Sequence, residues 1–260
     1  MKKKHTTLQK AAGAFALLAF AQVSQGITFF EGHGDFAVGF EDGEFEFGFH
    51  LGEDGDSAFV NENGVTRNVG GSANPDGEEF EPDEIEVLVN TSLVVAPGAS
   101  TILLDATGAT VGSTLYLISQ DASGTGDTIF GFGNEGLVEI DGVSEWSDVN
   151  YTLLNADGPG DFSVYFNNGG TDDFTVDVST AEGIDQFSFP AGEHSERNWA
   201  FTAPGTYNLT FRAESTFTEN GTSEDFSSEG VFTFVVVPEP SSALLLALSG
   251  LGLLGIRRRA

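Results

Sequence analysis

Between Ile27 and Val237 almost every apolar run alternates with period two. Phe36, Val38 and Phe40 alternate with Ala37 and Gly39, and Phe45, Phe47, Phe49 and Leu51 alternate with Glu44, Glu46, Gly48 and His50. A period of two sends successive side chains to opposite faces, the pattern of a half-buried strand. Further strands are predicted over residues 85–89, 114–119, 137–140, 149–154, 162–166, 174–178, 184–189, 198–202, 206–212 and 231–237, separated by clusters of Gly, Asp, Asn and Pro. No stretch between them carries a helical apolar stripe. The pattern predicts an all-β body, an antiparallel β-sandwich of Ig-like or jelly-roll type, with helices only at the two chain ends. Residues 52–82, acidic and rich in Gly and Asn, read as a long exposed loop or insertion.

One hairpin can be read in register. Asp42-Gly43 between two alternating runs is a two-residue turn signal. It sets Phe40 opposite Phe45, Val38 opposite Phe47 and Phe36 opposite Phe49 on the core face. The other face then carries Asp35 opposite His50, with His33 diagonal to His50 at about 7–8 Å. A slip of one residue would reverse both faces, and the phenylalanines set the choice.

The ends differ from the body. Residues 1–26 join a basic start, Lys2, Lys3, Lys4 and Lys10, to the apolar run 11–21, with Ala19-Phe20-Ala21 as a small-x-small cleavage site. That is the layout of a secretory signal peptide, so an exported body, residues 27–237, is expected to follow. At the other end, Val237-Pro238-Glu239-Pro240 precedes sixteen apolar or small residues, 241–256, and then Arg257, Arg258 and Arg259. A helix of that length spans about 24 Å, short of the roughly 30 Å hydrocarbon core, so the arginines would snorkel. Their position after the span places the C-terminus in the cytoplasm and the body outside. A Pro238-Glu239-Pro240 signature, a transmembrane helix and an arginine cluster, in this order over residues 238–260, closely resemble a PEP-CTERM sorting signal. The resemblance implies an exosortase-type enzyme as partner, a membrane intermediate, and delivery to the cell surface or extracellular matrix. A permanent single-span anchor would have the same hydropathy.

Charge narrows the partners. Forty acidic residues lie between Glu31 and Glu239 against three arginines, Arg67, Arg197 and Arg212, hence a charge of −37 on that stretch with no lysine. Phosphate chains are bound through Lys and Arg, so nucleic acid is excluded as a partner, and cations are attracted. Without lysine the body cannot form Lys–Asn isopeptide crosslinks. Without cysteine it has no disulfide, no thiolate zinc site and no thiol nucleophile. Gly131-Phe132-Gly133-Asn134-Glu135-Gly136 matches a dinucleotide fingerprint by letter, but no helix follows it and Glu135 would repel a pyrophosphate. The acidic clusters lack EF-hand spacing, which leaves calcium the lesser candidate.

Gly32-His33-Gly34-Asp35, then Glu41-Asp42-Gly43 and His50, then Gly158-Pro159-Gly160-Asp161-Phe162, then His194 through Asn198-Trp199 to Tyr207, together resemble the choice-of-anchor M domain. The resemblance runs from His33 to Val236 and implies a surface-anchored bacterial domain whose relatives accompany metal-uptake transporters. Its members commonly carry His-x-His before the Asn-Trp; here the second position is Glu196. Outside the signal, the only histidines are His33, His50 and His194, all within those stretches. His194 and Glu196 share a face in an extended segment. The candidate metal ligands are therefore His33, His50 and His194 with Glu196 and Asp35, suited to zinc or a similar divalent ion. Trp199 reads as core, and Tyr207 after Pro204-Gly205 resembles a tyrosine corner. Two functions stay open: a noncatalytic surface protein binding a divalent metal, or a carbohydrate-binding module holding exopolysaccharide. Three converging histidines would favour the first, an exposed Trp or Tyr platform the second.

Overall fold

The computed structural model describes residues 26–238, apart from 42, 122–126, 140–142 and 171. The signal helix expected within 1–26 and the transmembrane helix expected over 241–256 lie outside the described residues. Among the described residues, no helix is long and apolar enough to cross a membrane. The strands are β1 (Ile27–Glu41), β2 (Glu44–Leu51), β3 (Ala58–Glu62), β4 (Val65–Asn68), β5 (Glu78–Phe80), β6 (Ile85–Val89), β7 (Ser92–Val94), β8 (Thr114–Ile118) and β9 (Thr128–Gly136). They continue as β10 (Ser144–Trp146), β11 (Val149–Asp157), β12 (Phe162–Gly170), β13 (Asp173–Ser179), β14 (Gln186–Phe189), β15 (His194–Phe201), β16 (Gly205–Glu219) and β17 (Thr222–Val236).

The first hairpin has the register its phenylalanines dictate. Phe36 pairs with Phe49, Val38 with Phe47, Phe40 with Phe45 and Asp35 with His50. Gly43 closes the turn at a φ of 91°, a conformation that costs glycine nothing and other residues a Cβ clash. β1 is the hub of the sheet. One edge of its second half pairs antiparallel with β2, and the other runs parallel to β9. β9 in turn pairs antiparallel with the first half of β15, so four strands lie side by side in the order β2, β1, β9, β15.

The arrangement differs from an antiparallel sandwich in two respects. Three pairings, β1 with β9, β1 with β6 and β6 with β17, are parallel. Period two is the same beside a parallel or an antiparallel neighbour, so the alternation carried no sign of this. In addition, β15 pairs with β9 through His194–Arg197 and with β8 and β12 through its later residues, joining the strands into one continuous, curled network. The 52–82 stretch is also not a plain loop: it contributes β3, β4 and β5 and the 3-10 turn Glu53–Gly55. Its strands are three to five residues long, too short for alternation to stand out. Residues 137–139 form no strand, though Leu137 is buried.

Inside the curl sits an aromatic core. Phe36, Phe49, Phe130, Phe132, Trp199 and Phe232 are each at most 1% exposed, and Phe36 stacks or edges against all five others. Full burial of each such ring is worth roughly 1.5–3 kcal/mol, so the cluster contributes strongly to holding the curled sheet together. Trp199 satisfies its buried indole by donating to the Phe130 carbonyl at 2.8 Å. Tyr207 donates to the Ala203 carbonyl at 3.0 Å and closes the corner before β16. A helix not foreseen from the sequence, α1 (Thr101–Thr107), ends at Gly108 with φ 67°. At seven residues it is too short to display an apolar stripe, and it buries only Ala106 and Thr107.

Candidate functional site

On the outer face of these four strands, alternation places His33 and Asp35 on β1 and His194 and Glu196 on β15. Between them runs β9, whose inward residues are Phe130 and Phe132 and whose outward ones are Gly131 and Gly133. Gly131 is the register partner of both Asp35 and Glu196, and Gly133 is the partner of His194. A Cβ on Gly131 would stand 2.8 Å from Asp35 Oδ1 and 3.0 Å from Glu196 Oε2, inside contact distance. The glycines thus form a floor without side chains, across which β1 and β15 reach one another.

Above this floor the four polar groups meet. His33 Nε2 lies 2.7 Å from Glu196 Oε1, 3.2 Å from Asp35 Oδ2 and 3.3 Å from His194 Nε2. His194 Nε2 lies 3.1 Å from Asp35 Oδ1 and 3.2 Å from Glu196 Oε1. Four donor atoms about 2.0–2.1 Å from a tetrahedral zinc stand about 3.3–3.4 Å apart, so the group needs little more than a slight opening to hold one. Two imidazoles and two carboxylates suit a divalent transition ion; calcium wants six to eight oxygens at longer range.

The electrostatics show how strongly this spot demands positive charge. The Asp35 carboxyl is 2% exposed, and burial raises its pKa against the pull of the two histidines. Hydrogen bonds to Asp35 and Glu196 push His194 up to about 11. Burial works against protonating His33, but Glu196 and Asp35 outweigh it and its pKa is raised. Burial likewise opposes ionising Glu196, yet the histidines hold its carboxyl below the usual range. Within the group, two buried atoms have no hydrogen-bond partner, His33 Nδ1 and Glu196 Oε2.

Hydrogen bonds behind the group hold β15 in place. Arg197, 8% exposed, points away from the site, donates to Asp177 at 2.6 Å and to the Glu196 carbonyl at 3.0 Å, and stacks on Phe166 and Phe189. Asn134, fully buried, donates to the Pro190 carbonyl at 3.0 Å, accepts from the Tyr151 hydroxyl, and bonds by its backbone to Gly192 and Glu193. The turn leading into His194 is therefore clamped from within.

His50 does not join the group, which corrects the expectation of three converging histidines. It is the register partner of Asp35, but β2 lies on the far side of β1 from β9 and β15. Its imidazole turns to the 53–76 turns instead, with Nε2 donating to the Asp76 carbonyl at 2.7 Å and Nδ1 3.1 Å from Glu53. Burial opposes its protonation, and the Glu53 carboxylate and Asp76 carbonyl reverse this and raise its pKa to about 9.

Sequence reasoning missed four participants. Asp56 Oδ2 lies 3.4 Å from His33 Nδ1, and Glu135 Oε1 lies 3.7 Å from His194 Nδ1. Asp56 belongs to the acidic cluster Glu53-Asp54-Gly55-Asp56, which nothing in the chain ties to His33. Gly131, Gly133 and Glu135 did carry a signal: they alternate with Phe130 and Phe132, which makes a strand of the segment that matched a dinucleotide fingerprint. A second acidic group, Glu41, Glu46 and Glu79, is exposed and includes no histidine. Both tryptophans and all four tyrosines are buried, Trp146, Trp199, Tyr116, Tyr151, Tyr165 and Tyr207, so none forms an exposed platform. Of the sorting residues, Pro238 lies two residues beyond the end of β17; Glu239, Pro240, Arg257, Arg258 and Arg259 lie outside the described residues.

Residues 236–259 match the PEP-CTERM protein-sorting motif. The motif marks an exported protein handled by an exosortase-type processing enzyme and sorted by way of the membrane to the cell surface. No curated protein and no solved structure matches the chain.

Proposed function

We propose that the exported body is a noncatalytic surface or extracellular-matrix protein that binds one divalent transition metal, zinc or a close relative, through His33, Asp35, His194 and Glu196. The observation carrying this reading is the meeting of four potential ligand atoms from β1 and β15 over the glycine floor of β9. The Asp35 and Glu196 carboxylates that push the His194 pKa up to about 11 also make the spot attractive to cations, for which protons compete. Four protein donors complete a tetrahedral ion and leave no position for an activated water, which favours capture or cross-bracing over hydrolysis. The choice-of-anchor M resemblance belongs to this reading, since all four residues fall in its motif stretches. Glu196 in place of a second histidine makes the donor set harder than His-x-His would. The carbohydrate alternative loses the feature that would have favoured it, because every Trp and Tyr is buried.

The test is a zinc titration of the full-length protein stripped of metal. One site per chain is expected, lost in His33→Ala and in His194→Ala and kept in His50→Ala. Absence of zinc binding at micromolar concentration in the wild type, or its survival in both site variants, would overturn the reading.

A further inference from the structure

We infer that Asp56 and Glu135 are the outer carboxylates of this site, positioning residues that commit both histidines to ligation through Nε2. The inference rests on the metal reading above. An imidazole can offer either nitrogen to an ion, and the choice follows from what the other nitrogen does. When Nδ1–H faces a carboxylate, the tautomer and the ring plane are set and Nε2 becomes the more basic ligand. Both histidines are placed for this, with a carboxylate oxygen 3.4 Å from His33 Nδ1 and 3.7 Å from His194 Nδ1, just beyond hydrogen-bond length. Their Nε2 atoms face each other at 3.3 Å within the group, and each Nδ1 points outward to a carboxylate from a separate element.

The two carboxylates are delivered by backbone. Asp56 follows the Glu53–Gly55 turn, its N–H bonded to the Glu53 carbonyl at 3.0 Å and its own carbonyl accepting from Gly71 at 2.6 Å. The next residue, Ser57, accepts from the His33 backbone N–H at 3.1 Å, tying this turn to the ligand's own strand. That approach needs a glycine: a Cβ on Gly32, at φ +105°, would fall 1.9 Å from the Ser57 carbonyl oxygen. Glu135 is the next outward position on β9 after Gly131 and Gly133, which brings it alongside His194. His33 Nδ1 is buried and has no hydrogen-bond partner, while the Asp56 carboxylate stands 3.4 Å away and 66% exposed, free to rotate onto it. Ring and carboxylate are thus preplaced for the contact that an ion on Nε2 strengthens.

The experiment uses the full-length protein with zinc alone and with cobalt(II) as a spectroscopic probe. Asp56→Asn and Glu135→Gln are each expected to weaken zinc binding by about 10- to 100-fold, the usual effect of losing an outer carboxylate. Stoichiometry should stay at one, and the intense four-coordinate cobalt absorption should persist. Asp56→Glu should recover part of the affinity. Nitrogen-15 spectra of the zinc form should show Nδ1 protonated on both histidines. Glu79→Gln, which removes the same charge from a neighbouring exposed site, should change affinity less than twofold. If both carboxylate variants bind zinc as tightly as the wild type, or weaken no more than Glu79→Gln, the outer-shell assignment fails and the metal reading stands. Loss of the four-coordinate cobalt spectrum in either variant would make that residue a direct ligand and also overturn the assignment. A wild type that binds no zinc removes the metal reading itself.

Discussion

His33 and His50 begin from similar positions and end in different chemistry. Both lie on the outer face of the first hairpin, one strand apart. Strand order separates them: His33 faces β15 across the glycines of β9, whereas His50, on β2, is taken by Glu53 and the Asp76 carbonyl, with Glu79 also adding negative charge. A carbonyl accepting from Nε2 and a carboxylate at Nδ1 together favour the doubly protonated ring, which is why its pKa lies at about 9 instead of 6.5. A folded-state pKa above the unfolded value stabilises the fold fully below the unfolded pKa, and the effect fades as pH rises through the folded one. The stability difference between wild type and His50→Asn should therefore be largest below about pH 6.5 and shrink to its pH-independent remainder above about pH 9. Urea melts across that range would show it, and an NMR titration of His50 with a midpoint near 6.5 would reject the clamp.

Among the elements, β9 decides whether there is a site at all. It lies between the two ligand strands, and a side chain at its outward positions would occupy the space where the ligands meet. The prediction is that Gly131→Ala, whose Cβ would be 2.7 Å from the Ser195 carbonyl oxygen and 2.8 Å from Asp35 Oδ1, pushes β15 away. Zinc affinity should fall at least tenfold, and thermal stability should drop by about 1–3 kcal/mol, as overpacking usually costs. An unchanged melt together with unchanged zinc affinity would show that β9 is not a floor. The hairpin of β1 and β2 was legible to the residue, because its phenylalanines tolerate one register only. The pairing of β1 with β9 was not, since its partners, such as Asp35 and Gly131, lie 96 residues apart and nothing local records a parallel neighbour.

At the scale of the whole molecule, charge and address agree. Each of the three arginines of the body is held by acids: Arg67 by Glu62 and Glu78, Arg197 by Asp177, Arg212 by Glu214 and Glu229. The remaining acids keep the surface negative, which favours metal cations and keeps phosphate polymers away. β17 runs to Val236, and Val237 still donates to the Val89 carbonyl at 2.9 Å, so the sorting motif starts where the sheet ends. Replacing Pro238-Glu239-Pro240 with alanines should leave the full-length chain in the inner membrane. Mass spectrometry of the wild-type surface fraction should find no Arg257–Arg259 tail, and an intact tail there would overturn processing. The β character, the aromatic core, the first hairpin and the sorting signal were legible along the chain, because each is written in neighbouring residues as alternation, a turn or a motif. The sequence also singled out His33, Asp35, His194 and Glu196 by their rarity and pattern. That these four meet while His50 stays apart, that Asp56 and Glu135 stand behind the histidines, and that glycines make the meeting possible emerges only on folding. Those relations depend on which distant strands lie side by side, and burial of the aromatic core settles that order through contacts between residues far apart in the chain.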